Sequence, residues 1–254
     1  MVGVELSEPN FAERRYVPAA GRALLTGIYD PVMALTMREG RWRPALVDVL
    51  TSRLLQGGTV ADVGAGTGSL AIALALARPD ASVLAVDGDA DVLDRARRKE
   101  GAEAVAWLEG LAGELPLETG KADAVVMSLV LHHLGGDAKH AALTEALRVL
   151  RPGGWLHVAD WGRPQGALPR AGFAALRVLD GFDGTRDHAA GRLPVAIATA
   201  GFDDPTVWKR LPTVWGTLEL LSARRPAASD RPPGRGHYSA RVGPGDAKRQ
   251  RRKR

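Results

Sequence analysis

The feature of this sequence that most constrains its fold is a run of three alternate glycines between two apolar stretches. Gly64, Gly66 and Gly68 lie within residues 60–69, which read V-A-D-V-G-A-G-T-G-S. Because glycine has no Cβ, the chain can turn tightly here and bring a ligand against bare main chain. In an open parallel sheet, ligands bind in the crevice at the carboxyl ends of the strands. We therefore expect this bend to form part of a ligand site.

The pattern around this bend alternates between short apolar stretches and helix-forming stretches. Such an alternation is typical of a mostly parallel sheet that is covered on both faces. We predict strands over residues 60–63, 82–86, 104–107, 124–128, 155–159, 206–211 and 217–221, with a turn at 151–154. We predict helices over residues 69–77, 91–100, 139–150, 173–179 and 194–200. The predicted fold class is α/β, Rossmann-like, with a seven-stranded, mostly parallel sheet.

The two ends of the chain differ from this central region, which we place at residues 58–223. Residues 1–57 are predicted to form an N-terminal helical cap. Its apolar side chains recur at helix spacing, at Leu46, Val47, Val49, Leu50 and Leu54. Residues 224–254 hold eleven Lys or Arg against two Asp or Glu, with many Pro and Gly, so we expect a disordered basic tail.

Composition excludes several kinds of protein. There are no cysteines, which excludes disulfides, thiolate zinc sites and a cysteine nucleophile. The N-terminus has acids and no apolar core, unlike a secretory signal, and the longest apolar stretches are too short to span a bilayer. Outside the tail, 23 Lys or Arg face 27 Asp or Glu, and nucleic-acid enzymes usually present a basic face. We expect a cytoplasmic protein without membrane insertion or a nucleic-acid partner.

The spacing of the glycines and of two acids discriminates between ligands. A dinucleotide fingerprint reads G-x-G-x-x-G, whereas the third glycine here comes one residue early. Asp62 opposes a pyrophosphate but suits a cationic ammonium group. Asp87 ends the second strand, where an acid can accept hydrogen bonds from both ribose hydroxyls. It could instead cap the next helix, a role that Asp89 could also fill.

Five motifs in chain order resemble class I S-adenosylmethionine-dependent methyltransferases, over about residues 29–223. Two are VADVGAGTGSLAIALA at 60–75 and VLAVDGDADVLDRAR at 83–97. The others are GLAGELP at 110–116, DAVVMSLVLHHL at 123–134 and EALRVLRPGGW at 145–155. The resemblance implies methyl transfer from S-adenosylmethionine, and it assigns roles to the residues that match these motifs.

The implied cofactor contacts follow the chain. The resemblance implies that Asp62 holds the methionine amino group, that Asp87 holds the ribose, and that Tyr29 and Arg38 meet the methionine carboxylate. The remaining cofactor residues that it implies are Gly64, Ala65, Gly66, Gly68, Gly88, Leu111, Ala112, Ser128 and Leu129. Many members have Asp where this chain has Leu111, so here adenine recognition would rely on main-chain groups and apolar contacts.

Three side chains near the expected methyl donor are candidates for catalysis. His132 and His133 follow the fourth strand, and a histidine there could act as a base at neutral pH. Either could instead serve packing or begin a helix. Asp160 ends the fifth strand and could orient or deprotonate the acceptor, or cap the loop. His188, in a predicted lid loop at 181–188, is a weaker candidate.

The absence of two motifs reduces the number of methyl-transfer reactions that the sequence allows. After the fourth strand the chain reads Ser128-Leu-Val, and not the N-P-P-Y run used on exocyclic base amines. Catechol-type enzymes carry acidic metal ligands after the fourth and fifth strands, and here only Asp160 is present. We therefore expect no metal and a small-molecule acceptor methylated on O, N or C. The sequence does not predict the acceptor or the oligomeric state.

Three other functions remain open from the sequence. An NAD(P)-dependent oxidoreductase shares the strand–bend–helix arrangement, although the glycine spacing and Asp62 argue against it. A non-catalytic binding module could use the basic tail on RNA or protein. An RNA methyltransferase could be steered by the same tail, although the acidic body counts against this.

Overall fold

The structure, a computed structural model, describes residues 37–227. Its strands are β1 (Thr59–Val63), β2 (Ser82–Asp87), β3 (Val105–Glu109), β4 (Ala122–Ser128), β5 (Leu150–Gly162), β6 (Asp203–Pro212) and β7 (Thr217–Arg224). Its α-helices are α1 (Glu39–Arg53), α2 (Ser69–Ala77), α3 (Ala90–Arg97), α4 (Gly136–Val149), α5 (Ala167–Asp180), α6 (Arg186–Ala190) and α7 (Leu193–Thr199).

The strands form one sheet in the order β3-β2-β1-β4-β5-β7-β6. Strands β1 to β5 pair in parallel, and β7 is antiparallel to both of its neighbours. The predicted seven-stranded, mostly parallel Rossmann-like sheet is confirmed. The strand order reverses at β1, whose neighbours are β2 and β4, and such a switch point leaves a crevice at the carboxyl ends of the strands.

Helices cover both faces of the sheet. On one face α1, α2 and α5 bury a cluster that includes Trp42, Leu74 and Phe173. On the other face α4 and α7 bury a cluster that includes Leu143 and Ile197. Because both faces are covered, the central strands are almost wholly apolar, which is why they could be recognised from the sequence. Among residues 37–227, no helix has the length and apolar character needed to cross a bilayer.

Helix α1 is the described part of the predicted N-terminal cap. Trp42, Leu46 and Leu50 are spaced one turn apart and are all buried. The helix packs against α2 and β5, so its first turn lies at the carboxyl edge of the sheet.

Three elements differ from the sequence predictions. The stretch 151–154, predicted as a turn, is an irregular part of β5, where the pairing register with β4 shifts. The predicted lid loop at 181–188 contains the start of helix α6. Strand β7 includes Arg224, and the main chain of Arg225 pairs with that of Gly153 and Gly154, so both arginines belong to the sheet region and not to the tail.

Candidate active site

A cavity of about 600 Å³ opens at the carboxyl ends of β1, β2 and β4. Its walls come from the glycine bend, the loop after β3, the turn after β4, and the first turns of α1 and α4. The sequence-predicted residues that line it are Gly64, Ala65, Gly66, Asp87, Gly88, Leu111, Ala112, Ser128, Leu129 and His133. One cavity therefore holds most of the expected cofactor residues together with one catalytic candidate.

The glycine bend is held against β2. The main-chain N–H groups of Gly64 and Ala65 both donate to the carbonyl of Val86, at 2.8 and 3.1 Å. A Cβ on Gly64 would lie 2.3 Å from Val130, so this position needs glycine for packing. At Gly66, with φ of 55°, no atom of the described chain lies within 4 Å of where a Cβ would be. Bare main chain at Gly66 therefore faces the cavity.

Gly68 does not line the cavity, unlike the other two glycines. A Cβ there would lie 2.1 Å from the ring of Trp107, and its φ is 75°. The residue allows the indole to pack under the start of α2. The structure therefore gives Gly68 a packing role, and its contact with the cofactor stays a prediction.

Asp87 faces the glycine bend. Its carboxylate accepts the N–H of Gly66 at 2.8 Å and, through the other oxygen, the N–H of Asp89 at 3.0 Å. Asp89 in turn caps α3 by accepting the N–H groups of Asp91 and Val92. The cap that Asp87 could have formed is therefore supplied by Asp89, which leaves Asp87 on the cavity wall.

Asp62 lies behind the cavity wall rather than on it. The side chain is fully buried, and neither carboxylate oxygen has a hydrogen-bond partner within residues 37–227. Burial, assisted by the negative charge of Asp87, raises the pKa of Asp62 to about 7, although the guanidinium of Arg43 and the N–H of Ala71 lower it in part. A buried carboxylate is costly unless cations lie near it. The site thus fits a ligand with a cationic ammonium group close to this wall.

The loop after β3 closes another side of the cavity. The N–H of Gly110 donates to the carbonyl of Asp87 at 3.0 Å, which ties the loop to β2. Leu111 and Ala112 line the cavity, and Leu111 pairs with Glu114 in a short bridge. These residues offer main-chain groups and apolar surface to a flat ring.

The first turn of α1 contributes residues that sequence reasoning missed. Glu39, Trp42 and Arg43 line the cavity, and Arg43 pairs with Glu39. Arg38, the predicted contact for a carboxylate, instead donates to the carbonyl of Pro212 at 2.9 Å and does not line the cavity. Tyr29 lies outside the described residues.

The two neighbouring histidines are placed differently. His133 lines the cavity, and burial, together with the adjacent His132, lowers its pKa to about 4. Its imidazole is therefore neutral near pH 7, with a nitrogen lone pair available. His132 is 3% exposed and does not line the cavity, although its ring centroid lies 3.9 Å from that of His133.

Asp160 is buried below the turn that carries His133. Its Oδ1 lies 2.8 Å from Nδ1 of His132, and its Oδ2 accepts the N–H of Leu131 at 2.8 Å. Burial raises the pKa of Asp160. The neighbouring imidazoles of His132 and His188 and its hydrogen bonds lower the pKa by more than burial raises it, so the net pKa lies well below its usual value. Asp160 does not line the cavity, so this arrangement does not bring its carboxylate into direct contact with an acceptor there.

His188 is also buried, in the middle of α6. Its Nδ1 donates to the carbonyl of Trp161 at 2.6 Å and lies 3.9 Å from Oδ1 of Asp160. Burial lowers the pKa of His188. It does not line the cavity in this structure, so it belongs with His132 and Asp160 rather than with His133.

Other cavity residues were also missed. Helix α4 presents small residues at its start, and the turn after β4 adds apolar ones; the group is Val130, Leu134, Gly135, Ala138 and Ala141. The sequence signal for the α4 residues was the recurrence of small side chains on one face of that helix. The signal for α1 was the continuation of its buried face upstream from Leu46 to Trp42.

No group of three His, Asp or Glu side chains within residues 37–227 is placed to hold a metal ion. The expectation of a metal-independent reaction stays a prediction.

This chain is similar in sequence to known methyltransferases. Residues 61–158 match the family described as methyltransferase domain. The chain resembles the demethylmenaquinone methyltransferase of Beutenbergia cavernae, with 38% identity over 58% of this chain and 56% of that protein. It also resembles the release factor glutamine methyltransferase of Xylella fastidiosa, with 33% identity over 53% of this chain and 60% of that protein. The chain spans about half the length of the curated relatives it matches.

A solved structure agrees on the fold. A methyltransferase from Methanosarcina mazei, described as dependent on S-adenosylmethionine, superposes with a TM-score of 0.56 and 19% identity. The superposition covers 70% of this chain and 97% of that one.

The sheet has the Rossmann-like fold found in class I methyltransferases. The matched family model and the relatives named as methyltransferases identify residues 61–158 as a methyltransferase domain. The sequence resemblance to methyltransferases is confirmed.

Proposed function

We propose that this protein transfers the methyl group of S-adenosylmethionine to a nucleophilic O, N or C atom of a small molecule, without a metal. One observation carries the proposal: a single cavity of about 600 Å³ is lined by the glycine bend, by Asp87 and by a neutral His133. Residues that could bind the methyl donor and a residue that could contact the acceptor thus line the same cavity.

The donor end of the cavity supplies complementary groups for each part of the cofactor. Asp87, already aligned by the N–H of Gly66, has free lone pairs for ribose hydroxyls. Arg43 takes the role expected of Arg38 and meets the methionine carboxylate, because its side chain lines the cavity. The charge of Asp62 attracts the methionine ammonium group through the wall. Leu111 and Ala112 offer main-chain and apolar contacts to the adenine.

Bound S-adenosylmethionine supplies a methyl group on a positively charged sulfur, which is already activated for transfer. The chain's own residues then need chiefly to position the acceptor and exclude water. Leu129, Val130 and Leu134 line the cavity beside His133, so this end is mostly apolar. Such a lining favours a small, largely uncharged acceptor.

His133 is the residue that we place in contact with the acceptor. Because its pKa is about 4, the imidazole is unprotonated at neutral pH and can take a proton from an acceptor hydroxyl or amine. His132 and Asp160 act as positioning residues. They fix the turn after β4 from below, and His188 packs beside them.

Binding measurements separate this function from the nearest alternative. Calorimetric titrations with S-adenosylhomocysteine and with NADH compare a methyltransferase with an oxidoreductase. We expect binding of S-adenosylhomocysteine only, and weaker binding in Asp87→Asn. Binding of NADH without S-adenosylhomocysteine would contradict the proposal.

A second experiment tests catalysis directly. The protein is incubated with isotope-labelled S-adenosylmethionine and a metabolite extract, and mass spectrometry searches for metabolites that gain one labelled methyl group. We expect such a product with the wild type and a strongly reduced amount with Asp87→Asn. Labelling of RNA or protein instead of a small molecule would favour the alternatives in which the basic tail selects a macromolecular partner.

A further inference from the structure

Helix α5 presents an apolar face to solvent as well as to the core. Leu168, Val178 and the following Phe182 are 65%, 70% and 61% exposed. Alanines on the same side of the helix are exposed too, at positions Ala167, Ala171, Ala174 and Ala175. We call this set of residues the α5 outer face. It forms one side of the helix because its members recur at three- and four-residue spacing.

The inner side of the same helix is also apolar. Phe173 and Leu176 are buried in the core cluster. A surface helix normally turns a polar side to water, and a helix that is apolar all round is normally covered on every side. The α5 outer face continues onto Val214, which is 44% exposed and whose main chain lies against Gly172. It is therefore a contiguous patch of a kind that marks an interaction surface.

Arginines lie on the same helix as this patch. Arg170 is exposed, and the guanidinium of Arg177 lies 4.8 Å from the centre of the Phe182 ring. Residues 163–186 contain four Arg and two Asp, whereas residues 1–223 carry more acidic than basic side chains. Asp183 is the exposed acid at the end of the patch. An apolar helix face with arginines on the same helix matches an anionic lipid surface, where apolar side chains enter the acyl boundary and arginines meet headgroups.

We propose that the α5 outer face docks this protein on an anionic lipid surface. The contact is peripheral, through one helix that lies along the surface, and it does not depend on the methyltransferase function proposed above. The loop after α5 reaches the site from the other side, because Gly184 lies directly against the carbonyl of His132 and Asp183 lies against Gly135. A docked α5 would thus hold the turn that carries His133 close to the lipid surface.

The absence of cysteine makes a clean probe experiment available. Leu168→Cys on α5 and Leu76→Cys on α2 are a matched pair, because both leucines are 65% exposed on a helix. Each full-length variant is labelled with a polarity-sensitive thiol fluorophore. It is then mixed with vesicles of phosphatidylcholine and phosphatidylglycerol, or of phosphatidylcholine alone. We expect a blue shift at position 168 with the anionic vesicles, a smaller one with the neutral vesicles, and none at position 76.

A second measurement uses charge on the unlabelled protein. The double variant Leu168→Glu, Val178→Glu should bind the anionic vesicles about tenfold more weakly in a sedimentation assay, whereas Leu76→Glu should bind like the wild type. Thermal unfolding checks that each variant is folded.

Four results would overturn the proposal. The first is no shift at either position with any vesicle. The second is an equal response at both positions, which would assign the binding to the basic tail. The third is a fluorophore at position 168 that is already shielded without vesicles at all protein concentrations, which would mean that the chain itself covers the face. The fourth is shielding that grows with protein concentration, which would assign the face to a second copy.

Discussion

Nδ1 of His132 lies 2.8 Å from Oδ1 of Asp160, and both side chains are buried below the turn that carries His133. Because the pKa of Asp160 lies well below its usual value, its carboxylate is ionised and can only accept hydrogen bonds. His132 therefore donates from Nδ1, which fixes its tautomer. The same carboxylate accepts the N–H of Leu131 and of Trp161, so one charge orders the ends of both β4 and β5.

Asp160→Asn should destabilise the fold rather than alter cofactor binding directly. The amide would turn one acceptor into a donor facing N–H groups, and leaving buried polar groups without their hydrogen bonds costs about 1–3 kcal/mol. Urea unfolding at pH 7 measures this loss, with Asp203→Asn at an exposed position of β6 as the control. Equal stability of the two variants would show that Asp160 does not hold the turn.

The same pair predicts a pH dependence. The folded pKa of Asp160 is lower than its ordinary value of 3.8, so the unfolded chain binds the extra proton. The stabilisation is therefore present above pH 3.8 and declines as the pH falls below it. The stability difference between the wild type and Asp160→Asn should shrink in acid and not in alkali.

Asp62 predicts that binding of an ammonium ligand depends on pH. Its pKa is about 7 in the free protein, so the carboxyl is largely protonated below that pH and must ionise to attract a cation. The affinity for S-adenosylhomocysteine should rise about tenfold per pH unit up to pH 7 and then level off.

Two controls isolate this effect. 5′-Methylthioadenosine has the same nucleoside but no ammonium group, so calorimetry should show binding that changes little with pH. Asp62→Asn should bind S-adenosylhomocysteine more weakly and without the pH dependence. If Asp62→Asn kept the wild-type profile, the ionisation would belong to another group.

The sequence was sufficient for the central sheet and for the residues that line the cavity at the glycine bend. The strands are apolar because both sheet faces are covered, and Gly66 and Asp87 lie within one continuous strand–bend–helix segment. Local spacing therefore determined their placement. Gly68 has the same spacing, yet the indole of Trp107 packs where its side chain would be. The local sequence around Gly68 does not predict this long-range contact.

The placements that the sequence does not predict lie where separate elements meet. Arg38 and Arg43 both lie near the start of α1, and which one faces the cavity depends on how that helix is rotated on the sheet. His132 and His133 are adjacent, and which of them is buried depends on Asp160, 28 residues further along the chain. A single sequence does not report such pairings.

His133→Asn should lower the rate of methyl transfer while leaving cofactor binding intact. If the acceptor must lose a proton, the loss of the base is expected to slow the reaction about 10²- to 10⁴-fold. At saturating S-adenosylmethionine, the wild-type rate should be independent of the state of His133 from pH 6 to 8, because its pKa is about 4, and should fall as the pH approaches that value. Product formation with the acceptor found by mass spectrometry, followed across pH, measures both effects. An unchanged rate in His133→Asn would assign His133 to packing.

Arg43→Ala and Arg38→Ala form the sharpest test of how the methionine carboxylate is held. Arg43 lines the cavity beside Glu39, whereas Arg38 is directed at the carbonyl of Pro212. A hydrogen bond to a charged group contributes about 1.5–3 kcal/mol, so Arg43→Ala should weaken S-adenosylhomocysteine binding by about 10- to 100-fold. Arg38→Ala should leave it unchanged. 5′-Methylthioadenosine lacks the carboxylate, so its affinity should be similar in both variants. If Arg38→Ala lost affinity and Arg43→Ala did not, the carboxylate would lie toward β6, and the placement of the donor in this cavity would have to be reversed.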